Sequence, residues 1–364
     1  MTVSTPRTTA PLDFNFKWVV RPGSDSPRRM RERGQVNELE LLLANANILR
    51  NLIVDASLDE NLLSITIEDP ESGPLMAGIE IHDGKATQVF RELNIQLSQR
   101  LAQQEIEELR EKNDDSPVTQ VVCPKCRATI NLIGEYSPQC YCRHCQTLFT
   151  GENESDSELV AVECDYGICE RCQMYSRPRN FTVFFFYFVV YFGGVHHKNI
   201  RCCPACFQRT AWLMVLGNLP FLLGIPIALY QLKKCLSRKI QIGPFKGLHR
   251  ANTLLRRNKT GPALERYEEI LERHPLSAGV KFNIACGLDT QGDQEHAVQI
   301  LEMALLDCPN YAPAAEKMLE IRIVQNDSRQ ARQVINNYRI EQNVAMELML
   351  VNAADDMLDE LYPE

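Results

Sequence analysis

The sequence lacks an excess of positive charge. Its 364 residues carry 47 acidic and 39 basic side chains, which gives a formal net charge of −8. A chain that binds a nucleic-acid backbone through its overall field needs the opposite sign, so we do not expect a nucleic-acid partner except through a local patch. Apolar residues make up 45% of the chain, enough for the cores of about two or three domains.

Common catalytic fingerprints are missing as well. The sequence contains no H-E-x-x-H metalloprotease motif, no G-x-S-x-G nucleophile elbow, no P-loop and no dinucleotide-binding glycine motif. We therefore expect a protein that is not an enzyme. An enzyme of unrecognised type stays open as an alternative.

Cysteine, in contrast, is abundant. Eleven of the fourteen cysteines lie between Cys123 and Cys206, and eight of them form four C-x-x-C pairs. The opening segment, MTVSTPRTTAPLDF, has no apolar core of the kind found in secretory signals, so we expect a reducing compartment. In such a compartment these pairs indicate metal binding rather than disulfides, and zinc is the expected metal.

The first group of cysteines predicts a zinc ribbon over residues 118–152. Its two C-x-x-C pairs are separated by fifteen residues with the alternation and turn residues of a hairpin. Each pair forms a tight knuckle, and the hairpin brings the two knuckles together as a tetrahedron. We expect Cys140 to be a bystander, and His144 is the less favoured substitute ligand. The predicted ligands are Cys123, Cys126, Cys142 and Cys145.

The second group predicts another zinc module over residues 164–208. Its pairs are thirty residues apart, and the insert has an aromatic, strand-like run that suggests a β-hairpin. Cys164 and Cys202 are competing ligands. His196 and His197 should be solvated, because adjacent strand residues point to opposite faces. The predicted ligands are Cys169, Cys172, Cys203 and Cys206. Four thiolates saturate zinc, so both predicted zinc sites should be structural.

An apolar run follows the second module. Thr210 to Leu232 has no formal charge, and as one helix it would span about 34 Å, close to the roughly 30 Å hydrocarbon core of a bilayer. We therefore predict that residues 209–235 form a membrane helix or helical hairpin in contact with lipid. Basic residues on both flanks favour the hairpin, with the soluble domains on the cytoplasmic side. A buried helix of a soluble core is the alternative.

The segment from Cys164 to Arg238 resembles uncharacterised bacterial membrane proteins in which a paired C-x-x-C module runs directly into one or two apolar helices. The resemblance rests on the four cysteines of the second module and on the apolar run. It implies a membrane location and brings no known activity.

The amino-terminal part shows no chemistry. Residues 1–35 are rich in Pro, Ser, Thr and Arg and predict a disordered basic tail. Within residues 36–112, the spacing of apolar residues from Leu39 to Ile53 predicts a helix, two alternating segments predict strands, and a long helix is expected from about Ala86 to Lys112. We therefore predict a small αββα unit.

The carboxy-terminal part contains a period of thirty-four residues. The spacing is visible in the pairs Ala251 and Ala285, Ala263 and Ala297, and Pro275 and Pro309. This pattern resembles tetratricopeptide repeats, in which small residues recur where two helices approach closely. We predict such repeats and a cap over residues 244–348, followed by an acidic tail over 349–364.

The resemblance implies a concave groove that binds an extended peptide of a protein partner. Asn252 and Asn283 match positions where related repeats hold a peptide backbone. Leu248 and Pro313 replace the lysines of repeats that bind chaperone tails, so we do not expect that ligand. The alternative is that the repeats only pack against their own protein or a sister chain.

Together these patterns predict a multidomain α+β protein with two zinc β-ribbons, an apolar helical membrane segment and helical repeats. The predicted function is a membrane-associated scaffold or adaptor. The alternative is a soluble zinc-ribbon protein that contacts nucleic acid locally through Lys125, Arg127 and Arg143.

Overall fold

A computed structural model describes residues 11–20, 30–44, 46–59, 61–69, 73–134, 137–150, 165–189, 192–218, 225–236, 243–338 and 340. The chain divides into two compact units, Met1–Glu135 and Tyr136–Glu364. The first unit is built on an antiparallel sheet, whereas the second combines short hairpins with helices.

The first unit contains a seven-stranded antiparallel sheet. Its strands are β1 Leu12–Val20, β2 Glu32–Val36, β3 Glu40–Leu43, β4 Ala46–Leu49, β5 Ile53–Asp59, β6 Leu62–Asp69 and β7 Gly73–Ile81. In the order β4-β3-β2-β1-β7-β6-β5, every neighbour except the β1–β7 pair is also adjacent in sequence. The sheet therefore consists of two meanders joined where β1 pairs with β7.

One face of this sheet is apolar because side chains alternate along each strand. Phe14, Phe16 and Trp18 of β1 are buried, and so are the alternate residues of β6 and β7. Helix α1, Ala86–Glu111, packs against β5 and buries its own apolar stripe, which includes Leu93. The core of the first unit thus includes a buried sheet face and one side of a long helix.

Two sequence predictions for this unit are wrong. The predicted helix from Leu39 to Ile53 is replaced by β3, β4, a short 3₁₀ turn and the start of β5. Leu41 and Leu43 are buried while Glu40 and Leu42 are only half-buried, so this leucine-rich run alternates between two faces as a strand does. The unit is therefore not an αββα fold, although β6, β7 and α1 lie where strands and a helix were expected.

The prediction of a disordered tail over residues 1–35 is also wrong, because β1 lies within this range and β2 begins in it. The β1 segment, LDFNFKWVV, alternates apolar and polar residues and supplies part of the core. Residues 1–10 and 21–29 lie outside the described residues.

The first unit ends with the hairpin β8 Val118–Val122 and β9 Thr129–Ile133. Its return strand is held on α1 by three hydrogen bonds, one of them from Asn131 Nδ2 to Glu105 Oε2 at 2.9 Å. The Thr129 N–H donates to Ser98 Oγ at 2.9 Å, and Asn131 Nδ2 donates to the Ala102 carbonyl at 2.7 Å.

The second unit contains three antiparallel hairpins followed by helices. The hairpin strands are β10 Gln139–Cys142 with β11 Thr147–Thr150, β12 Gly167–Ile168 with β13 Tyr175–Ser176, and β14 Arg179–Val189 with β15 Phe192–Cys202. The helices are α2 Pro204–Gly217, α3 Ile225–Leu236, α4 Leu248–Leu255, α5 Thr260–Leu271, α6 Ala278–Thr290, α7 Gln294–Asp307, α8 Ala312–Val324 and α9 Ser328–Tyr338.

Helices α4 to α9 repeat in pairs. α5, α7 and α9 begin at Thr260, Gln294 and Ser328, which are thirty-four residues apart. The alanine at the fourth position of each, Ala263, Ala297 and Ala331, is buried. A small side chain is required there because the neighbouring helices approach closely. Residues 341–364, which include the end of the predicted cap and the acidic tail, lie outside the described residues.

The predicted membrane segment over residues 209–235 is wrong. The run is divided between α2 and α3, and within the described part of the chain no helix is both long and apolar enough to cross a bilayer. Asn218 ends α2, and its Nδ2 donates to the Met214 carbonyl at 2.7 Å. Three predictions depend on this segment and are also wrong: the contact with lipid, the membrane location and the membrane part of the fold class.

The apolar residues of α2 and α3 instead contribute to a core within the second unit. Phe207 of α2 stacks on Phe181 of β14, with ring centroids 4.3 Å apart. Met214 and the α3 residues Ala228 and Leu232 are buried in the same cluster. Part of the apolar content of this run therefore serves side-chain packing, while Trp212, Leu216 and Tyr230 are exposed.

Candidate metal centres and the repeat groove

The cysteines of the second group meet as predicted. Their four sulfur atoms lie within 4.8 Å of one another. Cys169 Sγ is 3.9 Å from Cys206 Sγ, and Cys172 Sγ is 3.9 Å from Cys203 Sγ. Zinc–sulfur bonds of about 2.3 Å in a tetrahedron separate the sulfurs by about 3.8 Å, whereas a disulfide separates them by about 2.05 Å. The residues therefore fit one structural zinc ion.

Two different local structures present these ligands. Cys169 and Cys172 form a knuckle between β12 and β13, in which the Gln173 N–H donates to the Cys169 carbonyl at 2.8 Å. Cys203 is the N-cap of α2, and the Cys206 N–H donates to its sulfur at 3.4 Å. A helix N-terminus favours a negative thiolate, so the start of α2 is a suitable place for two zinc ligands.

Hydrogen bonds to sulfur surround this site. The Cys203 N–H donates to Cys169 Sγ at 3.2 Å, and Arg256 Nη1 donates to Cys206 Sγ at 3.3 Å. Hydrogen bonds from the neighbouring thiols, that of Cys172 first, lower the pKa of Cys169 well below its ordinary value. A zinc ion with four thiolate ligands would carry a net charge of −2, and the Arg256 guanidinium would offset part of that charge.

Of the two competing ligands, the structure describes Cys202, which does not belong to the second group. Cys202 is buried outside the cluster, and burial raises the pKa of its thiol to about 12. Cys164 lies outside the described residues. His196 and His197 are neighbours on β15, opposite Phe185 and Phe184 in register.

The first group also fits one structural zinc ion. The sulfurs of Cys123, Cys126, Cys142 and Cys145 lie within 4.8 Å of one another, and three of the four residues are buried. Cys140 and His144 are not part of this group. The prediction of two structural zinc sites is therefore confirmed in its residues and in its count.

Three of the four knuckles share one backbone feature. The residue after the second cysteine has a positive φ, namely Arg127 at 62°, Gln146 at 55° and Gln173 at 52°. This left-handed residue turns the chain back into the return strand of each hairpin. The fourth knuckle lacks the turn because its chain continues into α2.

Asn252 of α4 and Asn283 of α6 hold a backbone segment of their own chain. Asn283 Oδ1 accepts the Tyr175 N–H at 2.7 Å, and Asn283 Nδ2 donates to the Tyr175 carbonyl at 2.8 Å. Asn252 Nδ2 donates to the same carbonyl at 2.9 Å. Both asparagines are buried, at 2% and 0% exposure, and Tyr267 Oη donates to Asn252 Oδ1 at 2.8 Å. The residues predicted to hold a peptide backbone are therefore occupied by β13.

The Tyr175 side chain fills a matching space. It is 1% exposed and packs against the rings of Tyr166 and Phe245, with centroids 5.9 and 5.8 Å away. A Cβ atom at Gly279 would lie only 2.5 Å from the Tyr175 ring. Gly279, in the first turn of α6, therefore leaves room for an aromatic ring.

A second clamp of the same kind was not predicted. Asn310, between α7 and α8, accepts the Tyr141 N–H at 2.9 Å and donates to the Tyr141 carbonyl at 2.8 Å. Tyr141 directly precedes the zinc ligand Cys142. Gln139 Oε1 also accepts the N–H of Ala278, at 2.9 Å, at the start of α6. The helical repeats thus hold one strand of each predicted zinc module.

No protein-family model matches this sequence, and no curated protein matches it. The likeness to tetratricopeptide repeats and to zinc ribbons therefore rests on the spacing of residues and remains a prediction at the level of family.

Proposed function

We propose that this protein is a non-catalytic adaptor that binds an extended segment of a partner protein in its repeat groove. The observation that carries the proposal is the clamp of Asn252 and Asn283 on Tyr175. All three hydrogen bonds go to the backbone N–H and C=O of one residue. Because every extended segment offers these groups, a partner segment can replace β13 without a change in the clamp.

Burial of the clamp supports a site that always needs an occupant. Asn283 is fully buried, and a buried amide without partners costs about 1–3 kcal/mol. In this structure Tyr175 of β13 supplies the hydrogen-bond partners of this amide. A partner must therefore compete with β13, and its apparent affinity equals its intrinsic affinity multiplied by the fraction of molecules in which the groove is open.

The thiol chemistry supports a role without catalysis. Four thiolates complete the coordination of zinc and leave no position for water or substrate. Outside the two groups, burial raises the pKa of the Cys235 and Cys286 thiols to about 12, which makes them poor nucleophiles at neutral pH.

A labelled peptide tests the proposal. The probe has the sequence of residues 171–179 with Cys172→Ser, so that it carries the segment that the clamp holds without a metal ligand. The full-length Tyr175→Ala variant, whose own strand has lost its ring, should bind this peptide in a fluorescence-anisotropy titration. Adding Asn252→Ala and Asn283→Ala should abolish binding, with helical content checked by circular dichroism. Absence of binding to the Tyr175→Ala variant would contradict the proposed function.

A further inference from the structure

The strand that occupies the groove belongs to the second zinc module. β13 begins three residues after the ligand Cys172. It pairs with β12 at only two positions, Gly167 with Ser176 and Ile168 with Tyr175. A two-stranded hairpin of this size is not stable on its own. Its conformation must therefore be imposed by the groups around it, which are the knuckle before it, the clamp on Tyr175 and the ion pair between Arg177 and Asp165.

The knuckle joins β13 to α2. Its sulfurs meet those of Cys203 and Cys206, so a zinc ion at this site would cross-link the β12–β13 loop to the start of the helix. Without the metal, the knuckle retains the turn hydrogen bonds that join Cys169 to Gln173 and Met174, and Arg171 Nη1 still links it to α2 by donating to Thr210 Oγ1 at 2.9 Å. The strand would then be held in the groove chiefly by the clamp and by the packing of the Tyr175 ring.

Arg256 links the same site to the clamp helix. It donates to Cys206 Sγ at 3.3 Å, and its own N–H donates to the Asn252 carbonyl at 3.1 Å in the last turn of α4. A side chain that contacts the metal ligands and an amide that holds Tyr175 are thus one helical turn apart. A change at the metal site reaches the groove through this turn as well as through β13.

The first module gives a built-in comparison. Its strand β10 is also held by a clamp, from Asn310 to Tyr141, but β10 and β11 pair at four positions. Ser137 and Gln139 add hydrogen bonds to Asp307 and Ala278. This hairpin has more strand pairing apart from its metal than β12–β13 does.

We infer that zinc at the second site controls access to the groove, an inference that rests on the proposed function. Loss of this zinc frees β13 from Asn252 and Asn283. The open groove then accepts an extended segment of another protein that carries an aromatic residue where Tyr175 lies. The aromatic preference follows from the space above Gly279 and from the Phe245 ring beside it.

The test uses the full-length chain and the labelled peptide of residues 171–179 with Cys172→Ser. One variant, Cys203→Ser with Cys206→Ser, removes the second site and leaves Tyr175 and both asparagines intact. The matched control, Cys123→Ser with Cys126→Ser, removes the first site. The Kd of the second-site variant should be about tenfold or more below that of the wild type, since affinity rises with the fraction of open groove. The control should bind as weakly as the wild type.

A control peptide with Tyr175→Ala should bind the second-site variant at least about tenfold more weakly, because it lacks the buried aromatic ring. Equal gains in the two cysteine variants would overturn control by the second site. Binding to the Tyr175→Ala protein but not to the second-site variant would overturn control by zinc and leave the proposed function standing. Binding to neither would overturn both.

A measurement on the wild type covers the case in which the second-site variant does not fold. Hydrogen–deuterium exchange of residues 171–179 is followed before and after zinc is removed with a chelator. Exchange at Tyr175 should become faster while α6 and α7 stay protected. Unchanged protection of Tyr175 in the metal-free chain would refute the inference.

Discussion

Asn283 holds Tyr175 on both sides of its backbone, accepting the N–H at 2.7 Å and donating to the carbonyl at 2.8 Å. The two residues are 108 positions apart in the chain. One amide side chain thus replaces the neighbouring strand that β13 lacks on that side. The groove of the repeats and the second zinc module are therefore parts of one structure, and predictions about either involve the other.

Replacing Asn283 tests this relationship directly. Asn283→Ala leaves the buried Tyr175 N–H without its acceptor, while the carbonyl keeps its bond from Asn252. The free energy of unfolding should fall by about 1–3 kcal/mol in urea denaturation. The exposed Gln291, just after the same helix, supplies the control, since Gln291→Ala should change stability by less than about 0.5 kcal/mol. Equal effects of the two substitutions would argue against the clamp.

Two glycines in neighbouring helices form a second matched pair. Gly279→Ala puts a methyl group 2.5 Å from the Tyr175 ring and should destabilise the protein by about 1–3 kcal/mol, because the ring cannot stay in place. Gly261→Ala in α5 meets no atom within 4 Å and should instead stabilise by up to about 1 kcal/mol through better helix propensity. Thermal denaturation of both variants gives the comparison. A stabilising effect of Gly279→Ala would show that the ring is not held above it.

The zinc ligands could be predicted from the sequence because their chemistry is local. A C-x-x-C pair makes a knuckle from four consecutive residues, and the spacing between pairs only has to allow a hairpin or a longer insert. The occupant of Asn252 and Asn283 could not be predicted in this way. It depends on the docking of Tyr175 from a different module. Asn310 similarly lies outside the positions that the resemblance to tetratricopeptide repeats singled out.

The errors have physical causes of the same kind. Phe14, Phe16 and Trp18 alternate along β1, but the Pro, Ser and Arg residues around them give the whole segment the composition of a disordered tail. The apolar run from Thr210 to Leu232 has the length and composition of a membrane helix. Its division into α2 and α3 and its packing on Phe181 depend on tertiary contacts, which hydropathy does not measure.

Metal content tests the two zinc sites. Purified protein should contain about two zinc ions per chain, because each group of four cysteines fits one. Cys123→Ser with Cys126→Ser should reduce the content to one, and so should Cys203→Ser with Cys206→Ser. Elemental analysis measures this directly. Iron in place of zinc, or a loss of both ions in either variant, would contradict two independent structural sites.

Arg256 provides the last prediction. Its hydrogen bond to Cys206 Sγ joins a side chain of the repeats to the sulfur of a zinc ligand. Arg256→Gln removes the positive charge beside four thiolates, so the second site should release zinc more readily. The guanidinium is exposed and screened by solvent, so we expect the lower end of the usual range, a loss of about tenfold in affinity.

Arg257→Gln is the matched control, since it removes the same charge one residue further along the chain. A competition titration with a chromophoric chelator should show weaker binding of one of the two ions in Arg256→Gln and no change in Arg257→Gln. The peptide of residues 171–179 should also bind Arg256→Gln more tightly than the wild type at limiting zinc, because a site that is more often empty leaves the groove more often open. Weaker zinc binding without any gain in peptide binding would separate the metal site from the groove and count against their coupling.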